Sequence, residues 1–350
     1  MRILEVQQLG AGGGLTCCLS IAGRAAEHGH DVTIAVPFAG RRIAAPHGVN
    51  LVDLPSAHLP RAACLVRLTA TADAVHAHGT RAATWCLPHT RGKPWAVTYH
   101  GLSSLHRSAS PGYRFAARTL LRALTRSATF SVGVGYAEAA TLVMAGAPPE
   151  RVRAIRNGTC PVARVAAHER LRSREDLGLN AEFVGVALPG ALNEQKNPEA
   201  AAEIMRRLDD DFILLVAGDS PDMQRFADAA PPNLRIIGRS AEVPRLLRAA
   251  DFFLTTSRWE GLPLAPLEAM AHGVPVVVSS APGNVEVVGQ AGFVFDLADL
   301  GAAAGAIRTL RDEEAMRTSL GELGRERIAA EFSLDRMLDE YLALYEELGR

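Results

Sequence analysis

Short apolar runs alternate with longer helical patterns along the whole chain. In the first half, the runs that predict strands are RILEVQQL, DVTIAVPF, AVHAHG, WAVTYHG, TFSVGVG and RVRAIRNG. In the second half they are FVGVALPG, FILLVAGD, NLRIIGR, DFFLTTS and PVVVSS. Strands that alternate with helices in this way form parallel sheets with helices on both faces. The pattern therefore predicts an α/β protein with two doubly wound units.

A polar, Arg-rich segment, ARVAAHERLRSREDLGLN, separates the two cycles of strands and helices. The length of 350 residues also fits two domains, at about 100–200 residues each. We predict a Rossmann-like N-terminal domain over residues 1–163 and a second over 164–332. The last segment, 333–350, is predicted to be a C-terminal helix that packs back on the N-terminal domain.

The composition is that of an ordinary globular protein, with 48% hydrophobic and 21% charged residues. No apolar run approaches the roughly 18 residues that span a bilayer. The N-terminus lacks the order of a secretory signal. The five cysteines are odd in number and contain no C-x-x-C pair, which favours a reducing compartment over a disulfide or zinc framework. We therefore expect a cytoplasmic protein.

The net charge of −1 conceals an asymmetry between the two halves of the chain. Residues 1–127 hold 14 Arg or Lys against 5 Asp or Glu, a net charge of +9, so the remainder carries −10. A basic first half suggests that it meets an anionic partner, such as a phosphorylated acceptor or a membrane surface. The alternative is that this uneven distribution of charge has no function.

Glycines follow the first predicted strand in GAGGGL, from Gly10 to Leu15, and a helical pattern comes next. Glycines here let the backbone approach a ligand and direct amides and a helix N-terminus at negative charge. The dinucleotide motif G-x-G-x-x-G would need glycine where Leu15 stands, which argues against a dehydrogenase.

Three histidines close predicted strands. His76 and His78 fall on one side of an extended segment, an arrangement that permits metal binding, but no cluster of carboxylates or cysteines accompanies them in the sequence. We therefore expect no metal. His100 precedes a glycine at a strand end and is the better candidate for a functional imidazole, with a structural histidine as the alternative.

Two predicted loops of the second half carry charged residues before helices. Lys196 precedes Asn197 and Pro198, a pattern typical of a helix start, where an ammonium can help a helix N-terminus hold a diphosphate. An exposed, solvated lysine is the alternative.

In SRWEGLPLAPLEAMAHG, Glu260 is predicted in a loop and Glu268 in the first turn of the next helix. The two carboxylates flank an anion site of loop amides, where they can accept hydrogen bonds from sugar hydroxyls. A catalytic acid/base pair, or ordinary loop and helix residues, are the other interpretations.

The segment SRWEGLPLAPLEAMAHGVPVVVSS resembles the E-x(7)-E signature of the retaining glycosyltransferases of family 4. The Gly12-Gly13 loop, DAVHAHG, VTYHG and PPERVRAIRNG match the same family, and the resemblance covers nearly the whole chain. It implies the GT-B fold, in which two Rossmann-like domains face each other across a cleft. It also implies retaining, metal-independent transfer of a hexose-type sugar from a UDP- or GDP-linked donor. The donor is a substrate, so no cofactor is expected, and neither is a nucleic-acid partner.

The resemblance also implies roles for single residues. Glu268 would bind the ribose hydroxyls of the donor, and Glu260 the hydroxyls of the transferred sugar. The amides of Gly261 and Leu262, with Lys196, would neutralise the departing diphosphate. The remaining residues are Gly13 and Gly14, which would contribute amides from the N-terminal domain, Arg239, which would contact the base, and His100, which would line the reaction centre. His100, Glu260 and Lys196 are the residues that we expect to serve catalysis.

One departure from the family weakens this expectation. Ala191 stands where the family usually has an arginine that grips the diphosphate, and Arg258 or Arg239 is the possible replacement. The acceptor is not identified by the sequence, and polysaccharide, lipid-linked and small-molecule acceptors all fit. A non-catalytic nucleotide-sugar-binding partner subunit and a nucleotide-sugar epimerase of the same fold are the alternative functions.

An arginine stripe lies in SPGYRFAARTLLRALTRSAT. Arg114, Arg118, Arg122 and Arg126 recur every four residues beside leucines and Phe115. On a helix, this pattern puts a basic face next to an apolar one, which can rest on anionic lipid. Residues 111–127 are therefore a candidate for peripheral contact with the inner face of the membrane, and an ordinary amphipathic surface helix is the alternative.

Overall fold

A computed structural model describes residues 1–10, 12–38, 40, 42–102, 110–179, 183–219, 223–238 and 242–350. The chain forms two compact units. The first comprises Met1–Asn157 together with Asp335–Arg350, and the second comprises Gly158–Leu334. The division after Asn157 comes a few residues before the boundary predicted at residue 163.

The N-terminal unit is built on a seven-stranded parallel sheet. Its strands are β1 (Arg2–Gln7), β2 (Asp31–Val36), β3 (Val49–Asp53), β4 (Ala74–His78), β5 (Trp95–Tyr99), β6 (Phe130–Gly133) and β7 (Val152–Ala154). Their order in the sheet is β3-β2-β1-β4-β5-β6-β7. The chain order reverses between β1 and β4, and ligands of open parallel sheets bind beyond the carboxyl ends of strands at such a point.

Helices cover both faces of this sheet. They are α1 (Gly13–Glu27), α2 (His58–Thr71), α3 (Thr80–Cys86), α4 (Pro111–Ser127) and α5 (Tyr136–Met144), with short 3₁₀ turns at Leu87–His89 and Pro149–Arg151. The core forms where apolar strand residues such as Val75 and Val97 meet Leu121 and Leu142 of the helices. Burial of this apolar surface is the main stabilising contribution to the unit.

The C-terminal unit is built on a six-stranded parallel sheet. Its strands are β8 (Phe183–Ala191), β9 (Phe212–Asp219), β10 (Leu234–Ile236), β11 (Phe252–Thr255), β12 (Val276–Ser279) and β13 (Gly292–Phe295). Their order is β10-β9-β8-β11-β12-β13, so the reversal lies between β8 and β11. Both sheets are parallel throughout their paired strands, which confirms the predicted α/β class with two doubly wound units.

The helices of this unit are α6 (Ala167–Asp176), α7 (Pro198–Met205), α8 (Met223–Ala229), α9 (Val243–Ala249), α10 (Leu264–Ala271), α11 (Pro282–Val288), α12 (Leu300–Asp312) and α13 (Glu314–Glu331). The last helix, α14 (Leu334–Leu348), packs in the N-terminal unit. There the hydroxyl of Tyr341 hydrogen-bonds Thr98, and the hydroxyl of Tyr345 donates to Glu5. Across the described ranges, no helix has the length and apolarity to cross a membrane.

Candidate active site

Lys196 and Glu260, predicted from separate motifs, touch at the switch point of the C-terminal sheet. Lys196 lies between β8 and α7, and Glu260 lies in the loop after β11, the strand next to β8. Their Nζ and Oε1 atoms are 2.7 Å apart, and the side chains are 22% and 8% exposed. The two side chains thus form an ion pair that is largely shielded from solvent. The pair therefore places one cationic and one anionic side chain together at the carboxyl ends of β8 and β11.

Hydrogen bonds tie together the two loops that carry this pair. The Gln195 amide donates to the carbonyl of Trp259 over 3.0 Å, and the backbone N–H of Arg258 donates to the carbonyl of Gln195 over 2.8 Å. The Thr256 hydroxyl donates to the carbonyl of Lys196 over 3.0 Å. Because each loop satisfies polar groups of the other, the backbone segments that carry Lys196 and Glu260 are held side by side.

Gly261 and Leu262 are buried directly after Glu260. Their loop lies against the first turn of α11, where a Cβ added to Gly283 would lie 2.0 Å from the carbonyl oxygen of Gly261. Only glycine permits this approach of the two backbones. The position of the loop that carries the predicted diphosphate-binding amides is therefore set by Gly283, which the sequence analysis did not identify.

Glu268 occupies the second turn of α10, so the prediction of the first turn was wrong. The helix begins at Leu264, two residues before Pro266. A proline is tolerated there because N–H groups of a first turn have no intrahelical acceptor. Burial raises the pKa of Glu268 from 4.5 to about 7. A carboxyl group in this state gains most from a ligand that donates hydrogen bonds to its charged form.

Buried polar side chains of the N-terminal unit share one face of the sheet around the β1/β4 switch. Glu5 is in register with His76, and both are fully buried. His78 Nε2 lies 3.2 Å from Glu5 Oε2, and His78 Nδ1 lies 3.2 Å from His100 Nε2. Burial and the neighbouring His78 lower the pKa of His100 to about 3. His100 is therefore a neutral imidazole at neutral pH.

Potential ligand atoms of Glu5, His76 and His78 lie within 4.8 Å of one another, a spacing that would suit a metal ion. Each residue already has hydrogen-bond partners. The ring nitrogens of His76 contact the hydroxyls of Tyr345 and Thr98, each over 2.8 Å. A satisfied polar network accounts for this cluster, and the expectation that the protein uses no metal stays a prediction.

The glycine loop leads into the N-terminus of α1, whose first residues are Gly13 and Gly14. Gly12 precedes them with a φ of 91°, and none of the described side chains caps the helix. A Cβ on Gly14 would lie 3.3 Å from Gln7 Nε2 and 3.5 Å from the His100 ring. Gly14 thus stands beside the predicted imidazole, and both predicted glycines contribute backbone amides to the amino end of a 15-residue helix.

Gln7 is a candidate that the sequence analysis missed. Its side chain is 3% exposed, and its Oε1 accepts from the backbone N–H of Gln8 over 2.7 Å. Its Nε2 has no hydrogen-bond partner within the described part of the chain. The available signal was a polar residue at the buried end of the first strand, directly before the glycine loop.

The remaining predictions concern cations. Ala191 is exposed at the end of β8. Arg258 donates from its guanidinium to Asn197 Oδ1 over 3.0 Å, which brings it beside the Lys196 loop. Arg239 lies outside the described residues, and its role against the base stays a prediction.

The basic helix predicted over residues 111–127 is α4, Pro111–Ser127. Its four arginines are exposed, while Leu121 and Leu124 pack into the core. Phe115 is 75% exposed and Tyr113 is 45% exposed near its start. The structure thus presents a basic surface with two aromatic side chains at one end.

Comparisons with known proteins cover both units. Residues 169–327 match the family model for "Glycosyl transferases group 1", and residues 11–161 match that for "Glycosyltransferase Family 4". The Escherichia coli UDP-Gal:alpha-D-GlcNAc-diphosphoundecaprenol alpha-1,3-galactosyltransferase is 30% identical over 182 residues, or 48% of this chain and 47% of the relative. The Rhizobium meliloti lipopolysaccharide core biosynthesis mannosyltransferase LpsB is 28% identical over 52% of this chain and 57% of its own. The matched region spans about half the length of these relatives.

Solved structures resemble the chain over almost its whole length. The Anabaena protein HepE, solved in complex with UDP-glucose, superposes with a TM-score of 0.85 at 19% identity, over 99% of this chain and 100% of its own. A sucrose-phosphate synthase from Thermosynechococcus elongatus gives a TM-score of 0.87 at 19% identity, over 99% of each chain. At this identity the likeness concerns the fold, which is GT-B.

Proposed function

Because the chain belongs to the group 1 glycosyltransferases, we propose that it is a retaining, metal-independent hexosyltransferase with a nucleotide-diphosphate sugar as donor. The observation that carries the proposal is the contact of Lys196 with Glu260 at the β8/β11 switch. Two residues from separate motifs meet where an open parallel sheet binds its ligand.

Each residue of the C-terminal site has a part in the proposed reaction. Glu268 accepts hydrogen bonds from the ribose hydroxyls, and Glu260 accepts them from hydroxyls of the transferred sugar. Lys196 and the amides of Gly261 and Leu262 stabilise negative charge on the diphosphate as the glycosidic bond breaks. The acceptor hydroxyl attacks from the face that the diphosphate leaves, and a phosphate oxygen takes its proton.

The arginine that is missing at Ala191 has a replacement in this proposal. Arg258 lies beside the Lys196 loop and is exposed, so its guanidinium is available to a phosphate that enters the site. Two cationic side chains and the backbone amides then stabilise the negative charge of the leaving group, and the proposed chemistry needs no metal ion.

The donor is proposed to be UDP- or GDP-linked. The name of the E. coli relative specifies UDP-Gal, and HepE was solved with UDP-glucose, which favours UDP among the two. The acceptor is proposed to be a polysaccharide, a lipid-linked sugar or a small molecule. The E. coli relative acts on a diphosphoundecaprenol-linked sugar by its name, which supports the lipid-linked class.

A lipid-linked acceptor fits a contact between α4 and the inner face of the membrane. The helix carries four exposed arginines and no acidic residue, and Phe115 and Tyr113 are exposed at its start. Attraction to anionic lipid gives about 1 kcal/mol per basic residue near the surface. Reversal of Arg114 and Arg118 to glutamate should abolish sedimentation with phosphatidylglycerol vesicles, whereas reversal of the exposed Arg81 and Arg91 should not. Equal loss in both variants would refute a contact specific to α4.

The function is tested with a panel of UDP-, GDP-, ADP- and TDP-linked sugars in EDTA. We expect saturable binding of one donor, with slow release of its nucleoside diphosphate. The Lys196→Met variant should still bind this donor but should release far less nucleoside diphosphate. Tight binding without release, even with lipid and metabolite extracts, would instead favour a non-catalytic partner subunit, which the uncharged Ala191 would explain. Conversion of the donor to an epimeric sugar would favour an epimerase.

A further inference from the structure

We propose that Glu5 and His78 are positioning residues that fix the tautomer of His100, whose Nδ1 then accepts a hydrogen bond from a substrate hydroxyl. The inference deepens the proposed function and rests on it, since it assumes that His100 lines the reaction centre.

The three side chains form a line across three adjacent strands. Glu5 is on β1 and His78 closes β4, while His100 directly follows β5. The distances are 3.2 Å between Glu5 Oε2 and His78 Nε2, and 3.2 Å between His78 Nδ1 and His100 Nε2. The ring planes of His78 and His100 are 18° apart, with their centroids 5.5 Å from each other. Each nitrogen of His78 is thus committed to one neighbour.

Glu5 begins the line as an acceptor. It is fully buried, and its oxygens are also contacted by the hydroxyl of Tyr345 at 2.9 Å and the thiol of Cys18 at 3.1 Å. Burial raises the pKa values of Tyr345 and Cys18 well above their ordinary values, so both groups keep their protons and donate. A carboxylate that receives three donors is satisfied without a metal or a solvent molecule.

The position of each proton follows from this start. We place the proton of His78 on Nε2, from which it is donated to Glu5, so that its Nδ1 can only accept. His100 must then carry its proton on Nε2 and donate it to His78. Since His100 is neutral, its Nδ1 has no proton and presents a lone pair. Glu5 thus determines, through the imidazole of His78, which nitrogen of His100 carries the proton and which one can accept a hydrogen bond.

This tautomer restricts what His100 can bind. A lone pair accepts from a hydroxyl, but it cannot donate to a phosphate oxygen. The ring lies beside Gly14 in the first turn of α1, and in the described ranges its Nδ1 has no hydrogen-bond partner. The structure therefore assigns His100 to a hydroxyl of the sugar or of the acceptor, and leaves phosphate oxygens to the amides of α1.

Nuclear magnetic resonance of the protein labelled with ¹⁵N-histidine tests the line without donor or acceptor. We expect a proton on His100 Nε2 and a scalar coupling across the hydrogen bond to His78 Nδ1. A proton on His100 Nδ1, as a charged His78 would produce, overturns the proposal, and so does an exchanging mixture of tautomers. The measurement is made on the free protein. Its outcome therefore does not depend on the proposed function, and failure of one can be told from failure of the other.

Variants then separate positioning from stability. His78→Leu should abolish the coupling and lower kcat on the order of tenfold, about the effect of one hydrogen bond at the reaction centre, with the donor KM little changed. His78→Asn offers Oδ1 near the place of Nδ1 and should restore most of the loss. Tyr345→Phe is the matched control, because it removes the buried hydrogen bonds of this hydroxyl to Glu5 and His76 but none of the contacts that join Glu5, His78 and His100. It should lower Tm and spare both coupling and kcat, and an equal loss of kcat in this control would refute positioning.

Discussion

Replacement of Glu268 by glutamine should reduce the loss of stability that occurs as the pH rises through neutrality. Burial raises the pKa of this carboxyl from 4.5 to about 7. Between these two values the folded state holds a proton that the unfolded state releases, so the free energy of unfolding falls as pH rises. Full stability from this group is present below about pH 4.5 and is lost as pH rises through about 7.

The magnitude follows from the two pKa values. With 4.5 for the unfolded state and about 7 for the folded state, ionisation of Glu268 destabilises the fold by about 1 kcal/mol at pH 5 and about 3 kcal/mol at pH 8. Glutamine is neutral at both values. The difference in unfolding free energy between Glu268→Gln and the wild type should therefore grow by about 2 to 3 kcal/mol over this range.

Urea unfolding of both proteins at pH 5, 6, 7 and 8 measures this difference. Glu194→Gln, at an exposed glutamate of the same unit, is the matched control for removal of a negative charge. Parallel stability curves for the wild type and Glu268→Gln would refute a buried carboxyl with a raised pKa. If the difference in unfolding free energy between the two proteins decreased towards pH 8, the pKa of Glu268 would be lowered in the folded state and not raised.

The same pKa predicts how the donor should bind. Ribose hydroxyls that donate to Glu268 favour its charged form, so binding near pH 7 should release a proton. Calorimetry of UDP-glucose binding in two buffers of different ionisation enthalpy detects that proton. Glu268→Gln should bind this donor more weakly and release none, and unchanged affinity would contradict the ribose assignment.

Three further predictions concern the two sites. Lys196→Met should lower kcat on the order of 100-fold, because it removes a cation from the leaving diphosphate, and nucleotide release at saturating donor measures it. Gly283→Ala should destabilise the protein by about 1 to 3 kcal/mol, since its Cβ meets the Gly261 carbonyl, whereas Gly305→Ala, in an open helical position, should be neutral or stabilising by denaturant unfolding. Gln7→Leu should weaken the binding of UDP-glucose, because it removes the amide donor beside Gly14, and unchanged affinity by calorimetry would show that this donor takes no part in binding.

Local patterns were enough to predict the sheets and the charged pair. Buried strands of parallel sheets are continuous apolar runs, so β11 and β12 were recognisable without tertiary information. Lys196 and Glu260 each follow a predicted strand, and adjacent strands of a parallel sheet end at the same edge. Their contact over 2.7 Å therefore follows from the topology once β8 and β11 are neighbours.

Residues whose roles arise from tertiary contacts were not predictable. In the sequence, Glu5 is only a glutamate within an apolar strand. Its hydrogen-bond partners come from α1, β4 and the distant helix α14. Gly283 matters only because the backbone of Gly261 lies against it. Glu268 was misplaced because the helix already begins at Leu264, so that Pro266 stands within its first turn and Glu268 in its second.

Each candidate site contains groups that the fold leaves without a full set of partners. Beside His100 these are donors, namely Gln7 Nε2 and the amino end of α1, which no described side chain caps. In the C-terminal site the group is Glu268, a carboxyl whose pKa is raised by burial alone. Such groups destabilise the free protein and persist where a ligand relieves them. Donors call for anionic or hydroxyl oxygens, and a carboxylate calls for hydroxyl protons. A sugar linked to a nucleoside diphosphate supplies both, so the two requirements taken together agree with the proposed donor class.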